Sequence, residues 1–112
     1  LVQALYNVVD SIFLSQISNI LDANLRIYSN SYGNVGWHGL WNFQSYSVSM
    51  ININDYYYSN FVNNKSELAA HEIGHAFGLK DVANTTVLMR NSGYKGSHYP
   101  EQDDINGINA NY

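Results

Sequence analysis

Apolar residues recur along this chain with two periods, one typical of helices and one typical of strands. From Leu1 to about residue 21 they follow helical spacing without interruption, which predicts one amphipathic helix that ends at about residue 21 or already before Asn19. Residues 25–28 alternate between apolar and polar, and an aromatic segment, residues 37–43, follows a loop rich in Ser, Asn and Gly. Both segments predict strands.

A third strand is predicted over residues 47–54, where apolar and polar side chains alternate most regularly. We expect Val48 and Met50 to face the core, together with either Ile51 or Ile53. A connection rich in Tyr and Asn follows this strand and leads into the second half of the chain.

Two further helices are predicted in the second half, separated by a long irregular segment. Ser66 begins the first of them, which carries two histidines. Periodicity is lost between Asp81 and Pro100, and a loop of this length in a compact domain is usually functional. Pro100 and the acids after it predict the last helix, with Ile105 and Ile108 facing inward. The expected fold is α+β: a small mixed β-sheet, a backing helix, a histidine-bearing helix under the sheet, a long loop and a C-terminal helix.

Length and composition fit one folded domain, covering residues 1–112, for which we expect a monomer. The chain is 46% hydrophobic and 14% aromatic, which argues against disorder. A net charge of −4 at pH 7 argues against a nucleic-acid partner, and no apolar run is long enough to span a membrane. The few charged residues (12%) leave a polar, uncharged surface, which favours a secreted or extracellular protein. The absence of cysteine excludes disulfides and thiolate metal sites.

The candidate chemistry lies on the histidine-bearing helix. His71 and His75 are four positions apart, so both imidazoles lie on one face and can bind one metal ion. Glu72 is next to His71 and therefore lies at the rim of that face, near a metal-bound water and not on the metal. This is the spacing of the zinc peptidases.

A third ligand is expected just after this helix. Gly78 allows the chain to leave the helix because it accepts a left-handed conformation, and Asp81 can then return to the metal, with His98 as the alternative ligand. Two histidines, one aspartate and one water complete the tetrahedral coordination of a catalytic zinc ion. Zinc lowers the pKa of its water towards about 7, and Glu72 can take the proton as general base and later deliver it to the leaving amine.

Residues 71–81 resemble the long zinc signature of the metzincin peptidases, which has a third histidine where this chain has Asp81. The small secreted proteases of the snapalysin family are similar in having aspartate at this position. Met89 resembles the methionine of the metzincin Met-turn, which implies an apolar floor under the metal. Residues 102–108 resemble the start of the last helix of the matrixins, a branch of the metzincins.

This resemblance implies a zinc-dependent endopeptidase that acts on peptide or protein substrates. Residues 36–43 would form the edge strand above the cleft, with which a peptide pairs antiparallel through main-chain hydrogen bonds. Residues 90–99 would wall the pocket for the residue after the scissile bond. Tyr94 or Tyr99 could shape that pocket or hold the oxyanion, but we expect both to be surface tyrosines. Metzincins normally begin with a strand, so the resemblance also implies a sheet without its first strand, or a strand that precedes Leu1.

Two other interpretations use the same histidines. The domain could be a catalytically inactive zinc-containing binding module of the same fold, although such a module does not require Glu72. It could also be a structural zinc domain, in which His98 or an acidic residue fills the fourth position of the metal. The coordination shell of the metal separates these interpretations, because an open position beside Glu72 favours a peptidase.

The start of the last helix offers a second set of oxygen ligands. Asp103, Asp104 and Asn106 carry the carboxylate and amide oxygens that calcium prefers. Their spacing lacks the pattern of a calcium-binding loop, so we expect these side chains to cap the helix.

Overall fold

The computed structural model describes residues 18–45 and 48–111. The helix predicted from Leu1 therefore lies almost entirely outside the described residues. At its expected end, Ile20–Asp22 form one 3-10 turn, and the Asn19 side chain accepts the backbone N–H of Leu21. The chain then enters the sheet.

Three strands form one mixed sheet. They are β1 (Leu25–Asn30), β2 (Gly39–Ser45) and β3 (Val48–Asn54). β3 lies in the middle and pairs in parallel with β1 and antiparallel with β2. β2 is consequently an edge strand of the described sheet, as expected, and the predicted α+β class with a small mixed sheet is confirmed.

The face of β3 that enters the core differs from the prediction. Ile51 and Ile53 are buried in the main hydrophobic cluster, whereas Val48 and Met50 are only partly buried. Because side chains on a strand alternate between its two faces, the even-numbered positions point away from that cluster. The prediction that Val48 and Met50 face the core is therefore wrong.

Three helices follow the sheet: α1 (Tyr58–Phe61), α2 (Lys65–Ala76) and α3 (Gln102–Asn111). Leu68 and Ile73 of α2 pack against the sheet and against Ile108 of α3, which is fully buried, while Ile105 is partly buried. No helix in the part of the chain that the structure describes is long and apolar enough to cross a membrane.

β2 approaches α2 closely at Gly39. A Cβ atom at this position would meet Leu68 Cδ1 at 2.9 Å and Glu72 Cγ at 3.0 Å, so any side chain here would require these neighbours to move. Glycine therefore allows the edge strand to lie directly against the helix that carries the histidines.

Asn54, at the end of β3, fixes the loop that leads into β2. Its side chain is fully buried, and its Oδ1 accepts the backbone N–H of Tyr32 (2.8 Å) and of Tyr56 (3.2 Å). Its Nδ2 donates to the carbonyls of Gly33 (3.1 Å) and Trp37 (3.2 Å). One amide side chain thus satisfies three backbone groups of the irregular loop before β2 and one of the 3-10 turn Asp55–Tyr57 that follows β3.

Asp104, at the start of α3, joins this helix to the segment around Met89. Its buried carboxylate accepts the backbone N–H groups of Glu101 (2.8 Å), Leu88 (2.9 Å) and Met89 (3.1 Å). The bond to Glu101 caps the helix, as predicted. The other two bonds reach across the fold, so Asp104 also positions the turn that contains Met89.

Replacing Asp104 with Ala is expected to lower the free energy of unfolding by about 3 kcal/mol, because backbone N–H groups in a buried region lose a charged acceptor. The free energy is measured by urea denaturation. Asp103→Ala is the matched control, since Asp103 is the exposed neighbouring acid on the same helix. Equal unfolding midpoints for the two variants would contradict this role of Asp104.

Candidate metal centre

Helix α2 presents both histidines on one face. The rings of His71 and His75 lie 4.9 Å apart between centroids and are nearly perpendicular. This follows from their spacing, because residues four apart on a helix lie one above the other. Both rings are mostly buried, and each has its Nε2 atom directed at the same neighbouring side chain, Asp81.

The chain reverses after α2 at Gly78, where φ is +91°. This left-handed conformation favours glycine. The N–H of Gly78 donates to the carbonyl of His75 (2.9 Å), and the N–H of Leu79 donates to the carbonyl of Gly74 (3.0 Å), which closes the helix end. Gly78 thus lies in the turn after which the chain brings Asp81 back to the helix.

Asp81 meets both imidazoles through one oxygen. Its Oδ1 lies 2.9 Å from His71 Nε2 and 3.1 Å from His75 Nε2. Three atoms bound tetrahedrally to one zinc ion lie about 3.3 Å apart, given metal–ligand distances of about 2 Å. The structure therefore brings the three predicted ligands together at nearly the separation that a shared metal requires.

The hydrogen bond of the other ring nitrogen, Nδ1, determines the tautomer of each histidine. His71 Nδ1 donates to the carbonyl of Leu88, and His75 Nδ1 donates to the carbonyl of Leu79, both at 2.8 Å. A carbonyl only accepts, so Nδ1 carries the hydrogen and Nε2 keeps its lone pair in the neutral ring. Two lone pairs this close to a carboxylate repel it unless a proton or a cation lies among them. This donor set fits a metal ion.

Glu72 lies beside the same group. Ligand atoms of His71, Glu72 and His75 lie within 4.8 Å of one another, and these three form the group in the described residues that could hold a metal. Two arrangements are therefore possible, with either Glu72 or Asp81 beside the two histidines. Asp81 Oδ1 is closer to both Nε2 atoms, which favours Asp81 as the third ligand.

The surroundings of Glu72 differ from those of an ordinary surface acid. Only 7% of the residue is exposed, and burial raises the pKa of its carboxyl above the usual value. The imidazoles of His75 and His71 and the backbone N–H of Trp41, which donates to this carboxylate, lower that pKa and partly offset the effect. Glu72 is thus a buried, oriented carboxyl group that is suited to exchanging a proton.

Met89, for which the sequence predicts a floor under the metal, packs against α2. It is 2% exposed and packs with Ala70 and Leu88 in a second hydrophobic cluster. A Cβ atom on Gly74 would collide with the Met89 thioether, so the glycine allows this side chain to lie directly against α2 between the two histidines. Leu88 meanwhile accepts the hydrogen of His71 Nδ1, so this segment also orients a predicted ligand.

A cleft of about 310 Å³ opens beside the metal-binding group. Among the residues that line it are His38, Gly39, Glu67, Leu68, Glu72, Arg90 and Tyr94. The Tyr94 hydroxyl lies 3.0 Å from His38 Nδ1, and burial, followed by the charges of Glu67 and Glu72, raises the pKa of Tyr94 to about 12. Tyr94 therefore presents a neutral phenol to the cleft.

Two other residues that were predicted to contribute to the site, His98 and Tyr99, lie away from the metal-binding group and the cleft. His98, the alternative ligand, stacks on Tyr99 with a centroid distance of 4.3 Å and is not part of the metal-binding group of the described residues. Tyr99 is exposed and does not line the cleft. The cleft wall is instead formed by residues 90–94.

Comparison with known families identifies the fold. The sequence model of the matrixins, a peptidase family, matches residues 22–112. This chain belongs to the matrixin family. No match was found among curated proteins. The resemblance to the metzincins and their matrixin branch is thereby confirmed, and the matrixin match supports a metalloprotease type of function in general.

The matrixin match includes every residue of the candidate metal centre. It extends from the 3-10 turn through the sheet, α2, Asp81 and Met89 to α3. It begins at residue 22, after the helix predicted from Leu1. The matrixin part of the chain is therefore the part that positions the site.

Two residues that matter for the site were missed by sequence reasoning. Asp104 was expected only to cap a helix, yet it also holds Leu88, which orients His71. Glu67 has no predicted role in the site, yet it is 4% exposed and lines the cleft. The sequence contains one indication of these roles. Each of the two acids lies on the helix face whose apolar residues are expected to be buried.

Proposed function

We propose that this matrixin is a zinc-dependent endopeptidase, with Glu72 as general base and then general acid. The observation that most supports this proposal is the convergence of His71 Nε2, His75 Nε2 and Asp81 Oδ1 beside a buried carboxyl group. A structural zinc site would not need that additional acid. We also propose that residues 1–112 form a single domain.

His71, His75 and Asp81 would hold the zinc ion, and three protein ligands leave one position open for water. When bound, zinc lowers the pKa of this water towards about 7 and polarises the carbonyl of the substrate. The carbonyls of Leu88 and Leu79 keep each imidazole in the orientation and protonation state that metal binding requires. Met89 supports the site from below.

Glu72 would carry the proton during the reaction. Burial raises its pKa, which makes its carboxylate a stronger base than an exposed acid, and the Trp41 N–H holds it in a fixed orientation. It would accept a proton from the attacking water and deliver the same proton to the amine that leaves. No covalent intermediate with the protein is needed.

The substrate would be a peptide or a protein. β2 pairs only with β3 in the described sheet, so the main chain of a peptide can add to its other edge. Such bonds do not depend on the side chains of the substrate, so selectivity must come from the cleft. Because matrixins are commonly extracellular, we propose that the protein is secreted and acts outside the cell as a monomer.

The proposal is tested by cleavage of casein before and after removal of metal. We expect a chelator to abolish cleavage and stoichiometric zinc to restore it. Circular dichroism should change little, because hydrogen bonds of Asn54 and Asp104 hold the loops without a metal. Cleavage that survives complete removal of zinc would contradict the proposal. A zinc-loaded protein that binds peptides without cleaving them would identify an inactive binding module.

A further inference from the structure

Glu67 is a buried carboxylate for which the proposed reaction has no use. It lies on α2 one turn before His71 and is 4% exposed. Its Oε2 accepts the N–H of Lys95 (2.7 Å), and its Oε1 accepts those of Gly96 (2.8 Å) and Ser97 (3.1 Å). Hydrogen bonds to a charged acceptor are stronger than neutral ones. Three consecutive backbone N–H groups are thus tied to the helix that carries the histidines.

Residues 95–97 belong to the loop between Asp81 and Pro100. A second charged side chain, Arg90, organises the part of this loop that precedes them. Arg90 donates to the carbonyls of Thr85 (2.8 Å), Ser92 (2.6 Å) and Tyr94 (3.3 Å). These bonds determine the internal shape of the loop, because all four residues belong to it. Leu88 of this loop accepts from His71 Nδ1, and in the described residues Glu67 makes the hydrogen bonds that attach residues 95–97 to α2. The distance between residues 95–97 and the helix therefore depends on this carboxylate.

Tyr94 lies immediately before the three anchored residues and forms part of the cleft wall. Its ring is stacked near His38, and its hydroxyl contacts His38 Nδ1 at 3.0 Å. Tyr94 lines the same cleft as Glu67 and Glu72. A displacement of residues 95–97 would therefore move Tyr94 and change the width of the cleft.

We propose that Glu67 is a positioning residue that determines the selectivity of the cleft. By holding residues 95–97 against α2, it keeps Tyr94 in the wall and limits which side chains of a substrate fit beside Glu72. This inference rests on the proposed peptidase function, because its consequence is a choice among peptides. Glu67 itself does not contact the scissile bond.

The test is Glu67→Gln, which keeps the shape of the side chain but removes its charge. The amide also turns an NH2 group towards a backbone N–H that had an acceptor. Selectivity is measured as the ratio of kcat/KM for peptides that differ only in the side chain that enters the cleft. Backbone amide exchange of Lys95, Gly96 and Ser97 is measured on the zinc-free protein. Glu101→Gln is the matched control, because Glu101 is exposed and pairs with Lys95 Nζ of the same loop.

We expect Glu67→Gln to reduce the selectivity ratio about tenfold, mainly through KM, and to speed amide exchange at residues 95–97. Zinc affinity and the far-ultraviolet circular dichroism should match those of the wild type. Glu101→Gln should change neither selectivity nor exchange. If Glu67→Gln does not fold, Glu67→Asp, which keeps the charge but cannot reach all three N–H groups, is expected to give the same two changes.

Unchanged selectivity in a folded Glu67 variant would overturn the inference, even if amide exchange increases, because the anchor would then be only structural. Unchanged amide exchange at residues 95–97 in that variant would overturn the inference as well. A wild-type protein that cleaves no peptide would instead refute the proposed function. In that case the inference is tested by the affinities of the zinc-loaded protein for peptide hydroxamates that vary in the same side chain. If Glu67→Gln discriminates less between these hydroxamates than the wild type does, the inference is supported. If both proteins discriminate equally, it is refuted.

Discussion

Glu72→Gln is expected to lower kcat by a factor of about 10²–10⁴, the usual contribution of a general acid–base group. Glutamine has nearly the same shape and can still accept the N–H of Trp41, but it cannot take a proton from water. KM and zinc content should change little, because we assign the metal to other side chains. The measurement is steady-state cleavage of one peptide, with zinc content determined on the same sample.

The matched control for this variant is Glu101→Gln, which makes the same chemical change at an exposed acid. A Glu72→Gln protein that binds zinc and retains wild-type kcat would exclude Glu72 as the proton carrier. A variant that loses its zinc would instead identify Glu72 as a ligand, which is the other arrangement that the geometry allows.

Asp81→Ala is expected to weaken zinc binding by more than about 100-fold. Changes to groups that only support a ligand already cost about 10–100-fold, and Asp81 is assigned as a ligand itself. Asp81→His should recover most of the affinity, because it restores a third donor of the type that most metzincins use. Zinc affinity is measured by competition with a chromophoric chelator at constant pH.

The control for Asp81 is Asp103→Ala, an exposed acid at the start of α3. It should bind zinc as the wild type does. Wild-type affinity in Asp81→Ala would remove Asp81 from the metal site and leave Glu72 as the third ligand. The fold should survive the substitution, because in the described structure Asp81 bonds only the two imidazoles.

The parts of the site that local spacing determines were predictable from the sequence. The interval between His71 and His75 is one helical turn, so their shared face follows from the helix alone. Gly78 was identifiable because few other residues adopt the backbone conformation that ends a helix in this way. Asp81 followed from that turn, and the matrixin match covers all of these positions.

The buried face of β3 was not predictable from its pattern. Apolar residues occur at both even and odd positions, at Val48, Met50, Ile51 and Ile53, so alternation alone favours neither face. Packing against α2 and α3 determines which face of β3 is buried, and these helices lie outside the strand's own stretch of sequence. The face therefore depends on tertiary contacts that no local window contains.

Glu67 and Asp104 were missed for a related reason. Each carboxylate binds backbone N–H groups of a loop that is 15 to 30 residues away in the chain. A backbone N–H has the same chemistry at every residue other than proline, so the sequence of the loop gives no sign that it is bound. Only the folded chain reveals these contacts.

The three hydrogen bonds that Asn54 makes to the loop before β2 have a consequence for how the protein responds to zinc supply. They keep the loop before the edge strand ordered through an amide of the chain itself, so this loop needs no ion. In a zinc-poor medium we therefore expect the domain to be folded but catalytically inactive. Such a domain would regain activity as fast as zinc binds, without a refolding step, so that zinc availability would act as a reversible switch.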